Sequence, residues 1–235
     1  MQRVCLVIGG SLLAACASPR SAVLGQTAAA LGAGRAEVAL ATGINADFQS
    51  SNGSSTNGIT FPVYEGNLQF GLSDQTGLNL HLSPAGLQPG LKVTLVSGDV
   101  ALAILPEAGI GLATVSSSSS FPGSSARETA FGFIGGAKFI LSHSKGVYGG
   151  VGYDFQYVSV STDSSSTSTS FTSHGISLAI GYDFATGFLR LRPEFSMIIS
   201  PSNKQSSSNP NLTNPNLTDY YLLPTLSVAL RTPSR

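Results

Sequence analysis

The chain has 235 residues, with 12 basic and 12 acidic side chains, 42% apolar residues against 10% charged ones, 27 glycines and no tryptophan. That length suits one all-β domain, and the sparse, balanced charge gives no electrostatic footprint for nucleic acid. Many small residues and few charges argue against an ordinary aqueous enzyme and suit a protein whose solvent is partly lipid.

Arg3 precedes an apolar run from Val4 to Ala15, too short to cross a bilayer as a helix and the right length for a secretory signal core. The run closes on Leu13-Ala14-Ala15-Cys16, which resembles the lipobox of bacterial lipoproteins: an aliphatic residue, two small residues, then cysteine. The resemblance implies removal of residues 1–15 and lipidation of Cys16, with palmitate-type chains on its sulfur and new amino group. Ala17, where Asp would hold a lipoprotein at the inner membrane, implies delivery to the outer membrane. The alternative is an ordinary signal peptide cut at Ala15-Cys16-Ala17. Cys5 lies in the signal, so no internal disulfide is expected in the mature chain. Residues 16–35 are small and weakly patterned, and read as a lipidated tether or as a short helix around Gln26 to Leu31.

From residue 36 onward the pattern has a period of two, as a strand with two different faces requires. Val38, Leu40 and Ile44 oppose Glu37, Ala39 and Asn45 in the first segment; Tyr64, Leu68, Phe70 and Leu72 oppose Glu65, Asn67 and Gln69 in the second. Leu78, Leu80 and Leu82 oppose Asn79 and His81; Leu91, Val93 and Leu95 oppose Lys92 and Thr94. Val100, Leu102, Ile104 and Ile110 oppose Ala103 and Glu107, and Phe131, Phe133, Phe139 and Leu141 oppose Gly136 and Lys138. Next come Val151, Tyr153, Phe155 and Tyr157 against Asp154 and Gln156, then Ile176, Leu178, Ile180 and Tyr182 against Ser177 and Asp183. In FLRLRPEFSMIIS (188–200) Leu189, Leu191, Phe195 and Met197 alternate with Phe188, Arg190, Arg192, Glu194 and Ser196; the last segment sets Leu222, Leu226, Val228 and Leu230 against Ser227 and Arg231.

Every charge within these segments falls opposite the apolar set: Glu37, Glu65, Lys92, Glu107, Lys138, Asp154, Asp183, Arg190, Arg192, Glu194 and Arg231. A charge at mid-depth on a lipid-facing wall costs about 2–4 kcal/mol, which accounts for this sorting if the apolar face meets lipid. Long Ser/Thr/Asn-rich stretches (51–58, 116–128, 161–173, 200–219) alternate with short turns at 73–77, 97–99, 142–146 and 185–187. Long loops at one end and short turns at the other are the asymmetry of an outer-membrane barrel. The expectation is an antiparallel transmembrane β-barrel of ten strands over 36–232 with both termini periplasmic. The connection 84–90 (PAGLQPG) is then the shortest loop on the long side; the flanking segments 78–83 and 91–97 are shorter than a tilted membrane strand needs, so extension of the strands through 84–90 and an eight-strand barrel omitting this hairpin are the alternatives.

The register also predicts lumen pairs, Glu37 with Arg231 and Asp183 with Arg190, and aromatic girdles of Tyr64, Phe131, Tyr157 and Tyr220 at one level and Phe70, Phe139, Tyr182 and Phe184 at the other. The paired stretches GGVGYDFQY (149–157) and AIGYDF (179–184) resemble strands of small outer-membrane barrels in the broad OmpA-like and OmpW-like sense. The resemblance implies a barrel over 36–232, although the terminal aromatic residue of that group is absent because the chain ends RTPSR.

Signals for chemistry are thin. His81 is expected inside near Lys92, His143 in a turn and His174 at an outer strand end, so no metal site is expected. Outer-membrane proteases place His near Asp, as His174 with Asp163 or Asp219 would, but their Asp-x-His pattern is missing. Ser173-His174 reverses the His-Ser order of barrel deacylases, and GGVG at 149–152 lacks the Lys and helix of a phosphate loop. No cofactor and no catalysis are expected. The charged inner residues read either as the lining of a narrow pore or as a satisfied network that rigidifies the barrel. The partners expected are outer-membrane lipid and an extracellular ligand of the Ser-rich loops. A competing reading is a soluble lipocalin-like barrel tethered by Cys16, with the apolar set inside.

Overall fold

A computed structural model describes residues 25–51, 54–83, 86–118, 125–162, 168–207 and 217–233. Among them are eleven strand segments. The first six are β1 (Ala36–Ser51), β2 (Ser54–Gly71), β3 (Thr76–Ser83), β4 (Gly86–Val96), β5 (Val100–Ser118) and β6 (Ser125–His143). The rest are β7 (Val147–Thr162), β8 (Ser168–Tyr182), β9 (Phe184–Thr186), β10 (Leu189–Ser207) and β11 (Leu217–Arg231). Neighbours pair antiparallel in chain order, and β11 pairs with both β10 and β1, so the sheet closes on itself. β9 continues β8 past a break at Asp183 and lies beside the same strand, β10. The described residues therefore form a barrel of ten staves with no open edge at its waist.

The eight-strand alternative falls because the hairpin around 84–90 is part of the wall. Residues Gly86 to Gly90 belong to β4, pairing with Asn79 to Ser83 of β3, and only 84–85 lie outside the two strands. The alternation carries through this stretch, with Leu87 outward and Gln88 buried inward. Gly86 has φ +143°, and a Cβ there would come within 2.3 Å of the Ile110 carbonyl, so only glycine lets the hairpin lie this close to β5. The helix considered for Gln26 to Leu31 is not formed.

The sign of the two faces follows the charge sorting. Along β1, Val38, Leu40 and Ile44 are exposed on the outer wall while Glu37, Ala39, Ala41 and Asn45 are buried. Leu40 is 69% exposed and Arg192 fully buried, the reverse of a soluble barrel, so the lipocalin-like orientation is excluded by the geometry. Aromatic residues of both expected girdles, from Tyr64 and Tyr220 to Phe139 and Phe184, stand on the outer wall. Phe188, aligned with the inward set by the alternation, instead sits exposed in the turn before β10. The inner wall is not wholly polar: Leu105, Ile134, Ile140, Ile198 and Leu223 are buried there. Inward hydrocarbon fills the lumen of a barrel this narrow where charge would lack partners.

Four short connections, the start of β1 and the end of β11 share one end of the barrel. Glu37 faces Arg231 there, and Thr232 N–H bonds the Ala36 carbonyl. The opposite end is uneven. A tilted membrane strand needs roughly 9–11 residues; β5, β6 and β10 have 19 each and β2 has 18, whereas β3 has 8. Long hairpins thus project past the apolar waist everywhere except above β3 and β4.

Candidate functional site

The lumen near the short-turn end is built by β10, whose alternation sends Arg190, Arg192, Glu194 and Ser196 inward in sequence. Arg192 donates from Nη1 to Glu37 Oε1 at 2.6 Å and from Nη2 to Oε2 at 3.0 Å, a bidentate pair across the closing seam. Arg231 Nε donates to the same Glu37 Oε2 at 2.6 Å, the pair expected from register. Arg192 Nε lies 3.1 Å from Asp183 Oδ1, and Asp183 also pairs with Arg190, as expected. Asp183 reaches both arginines because the strand breaks at its position, between β8 and β9. Three arginines and two carboxylates so form one continuous chain. Glu194, next on the same face, accepts from Tyr148 Oη at 3.1 Å and from Ser196 Oγ at 2.9 Å.

Further along the wall Lys138 Nζ lies 2.8 Å from Glu107 Oε2, and Asn79 donates to Glu107 Oε1 at 2.8 Å. His81 lies beside Glu65 at 3.5 Å rather than beside Lys92 as expected: the register sets His81 opposite Gln88 and Lys92 opposite Gly77, and Lys92 Nζ bonds Gln69 Oε1 at 3.2 Å. Asp154 is half-buried between Gly136 and Gly175 of the adjacent strands, apart from the other clusters. Cys16 lies outside the described residues.

Sequence reasoning missed what fills the remaining space. Residues 25–31, expected as tether or short helix, fold back from the start of β1 into the lumen, where Gly25, Gln26, Thr27, Ala28 and Leu31 are buried. The wall holds their main chain. Arg192 donates to the Gly25 carbonyl, and Gly25 N–H donates to Glu194 Oε2 at 2.8 Å. Lys92 Nζ donates to the Thr27 carbonyl at 2.7 Å, and Thr94 Oγ1 to that of Ala28 at 2.9 Å. Ala28 N–H donates to Ser142 Oγ at 3.2 Å, with its methyl packed among Ala101, Ala103, Leu105, Ile140 and Tyr148. Five main-chain groups of Gly25, Thr27 and Ala28 that water would otherwise serve are thus given partners by the wall. The only sequence signal for this segment is its small side chains. A gap between Leu31, Gln69 and Lys92 measures about 10 Å³, the scale of one water molecule.

The lumen charges are bonded to one another and to the segment 25–31. Every nitrogen of the Arg192 guanidinium faces an acceptor belonging to the protein. The three histidines stay apart: His143 accepts the Lys145 N–H in a turn, and His174 stands on the outer wall with Nδ1 2.6 Å from Tyr153 Oη and its ring against Phe155. Asp163 and the side chain of Asp219 lie outside what the structure describes. Gly150 and Gly152 of the GGVG stretch face inward within β7, where a Cβ on Gly152 would meet Ser177 Oγ at 2.5 Å.

No protein-family model matches the sequence, and no curated protein matches it. Among solved structures, the outer membrane protease OmpT of Escherichia coli aligns at 9% identity with a TM-score of 0.46, covering 84% of this chain and 96% of that one. Ail, the attachment invasion locus protein of Yersinia pestis, aligns at 9% identity and TM-score 0.37, covering 85% and 99%. The outer membrane protein OprG of Pseudomonas aeruginosa aligns at 9% identity and TM-score 0.37, covering 89% and 100%.

Proposed function

We propose that this protein is a non-conducting outer-membrane β-barrel that works as a structural and adhesive element through the hairpins projecting from its long-loop end. The observation that carries the reading is the pairing of an apolar outer wall with a lumen of buried, mutually bonded charges. In water that wall would be a large continuous apolar surface, which soluble proteins do not expose; in lipid it is the solvated face. The short turns and both ends of the barrel then face the periplasm, the side on which a lipid on Cys16 would anchor the chain in the inner leaflet.

The pore reading is disfavoured because residues 25–31 and the salt-bridge chain occupy the space a solute would need. No catalytic role is proposed. The hairpins β1–β2, β5–β6, β7–β8 and β10–β11 continue beyond the waist with Ser, Thr and Asn in their sequences, which supplies hydrogen-bonding surface for an extracellular ligand.

The test is protease shaving of intact cells together with gel mobility of the washed outer-membrane fraction with and without boiling. The reading expects a heat-dependent mobility shift and cleavage within 116–128, 161–173 and 200–219. Release of the protein by carbonate from a Cys16→Ala strain refutes membrane embedding. Purified protein in planar bilayers is expected to give no discrete conductance steps; steps abolished by Arg192→Ala would restore the pore reading.

A further inference from the structure

On the outer wall one cross-strand row runs Leu102, Leu141, Gly149, Ile180 and Phe195 over β5, β6, β7, β8 and β10. Four members carry large apolar side chains and the central one carries none. Gly149 lies in an open groove of about 580 Å³ whose walls include Phe139, Leu141, Val147, Val151 and Ile180. A Cβ on Gly149 would approach the Ala179 carbonyl to 2.8 Å, so the gap cannot be closed at that position without moving the strand.

The groove runs down to His143 at the short-turn end. Two turns meet there. Ser144 bonds Asp99 twice, N–H to carbonyl at 2.7 Å and Oγ to Oδ1 at 3.2 Å, and the next residue is Lys145, whose N–H donates to His143 Nδ1. Asp99, His143 and Lys145 are all exposed; His143 lines the groove, and Asp99 and Lys145 belong to the two bonded turns next to it, one acid and one cation in the turns that adjoin an apolar groove.

We infer that the groove seats one acyl chain of a zwitterionic phospholipid from the leaflet facing the short turns, with its phosphate on Lys145 and its amine on Asp99. The inference rests on the membrane-embedded reading of the barrel. Within the apolar waist a peptide occupant would bring main-chain N–H and carbonyl groups with nothing to bond, at a cost of several kcal/mol each, whereas a hydrocarbon chain brings none. Paired opposite charges at the mouth match a headgroup bearing both signs; a purely anionic headgroup would meet Asp99 unfavourably.

The full-length protein is extracted in mild detergent from vesicles of equimolar phosphatidylethanolamine and phosphatidylglycerol, and its retained lipid is counted by native mass spectrometry. The expected result is one retained phosphatidylethanolamine per barrel. Leu102→Phe combined with Val147→Phe, which narrows the groove, is expected to lower retention about tenfold, the effect of losing contact with roughly two methylene groups. Lys145→Glu is expected to lower it also, while Leu226→Phe on the far wall leaves it unchanged. Equal retention in the groove variants and the far-wall control overturns the inference, as does preferential retention of phosphatidylglycerol. Each variant is checked for heat-dependent gel mobility: a folded, membrane-inserted barrel without the lipid refutes the site alone, and failure of the wild-type chain to insert refutes the membrane reading itself.

Discussion

Replacing Arg192 by Met tests whether the lumen charges are cohesive. Met keeps the length and hydrocarbon of the side chain and removes the guanidinium, so Glu37 loses its bidentate partner at 2.6 and 3.0 Å and Asp183 loses a contact at 3.1 Å. Removing one member of a buried pair costs about 3–5 kcal/mol, mostly because the surviving charge is left without compensation. Here Arg231 remains 2.6 Å from Glu37 Oε2 and Arg190 remains on Asp183, which places the expected cost near the lower bound. Gly25 also loses the donor to its carbonyl, adding about 1 kcal/mol for a buried acceptor left unmet. The sum is about 4 kcal/mol. It is measured by urea unfolding in lipid vesicles, reading the fraction that keeps the unboiled gel mobility. Adding Glu37→Gln to Arg192→Met removes the stranded carboxylate and is expected to return part of that loss, with a coupling of about 1–3 kcal/mol between the two sites. A cost below about 1 kcal/mol for Arg192→Met, or purely additive effects, would show that the network contributes nothing that solvent could not.

Two further substitutions probe the wall and the lumen segment. Leu40→Arg places a charge on an outer position that is 69% exposed; in a water-soluble barrel the change is close to neutral, whereas at mid-depth in lipid it is expected to cost about 2–4 kcal/mol in the same unfolding assay. Gly71→Val targets the point where the N-terminal segment turns into the barrel, since a Cβ there would come within 1.9 Å of the Gly32 carbonyl. The expected result is release of residues 25–31 from the lumen at a cost of about 1–3 kcal/mol, read as new protease cleavage within that segment from the short-turn side while the barrel keeps its mobility shift.

The outcome divides by range of interaction. A period of two is a local property, so the alternation of Leu40 with Ala39 and Ala41, and of Leu191 with Arg190 and Arg192, was legible residue by residue. The sign of the faces was legible too, because a charge tolerates only one of the two environments and the eleven charges of the alternating segments, Glu37 to Arg231, chose the same side. Pairs such as Glu37 with Arg231 and Asp183 with Arg190 followed once the order of strands was set by short turns. Three features depended on closure in space. At 84–90 the choice between a loop and an extension of the two strands stayed open, because Pro84, Pro89 and two glycines signal turns locally, while its pairing with β3 and its approach to β5 are long-range. Arg192 meets Glu37 only because the first and last strands join, bringing together residues 155 positions apart. The segment 25–31 carries no period at all. It is held in the lumen through its own main chain, whose hydrogen-bonding groups are the same in every sequence, and so only the finished barrel, with Arg192, Glu194, Lys92 and Thr94 converging on its axis, decides where that stretch lies.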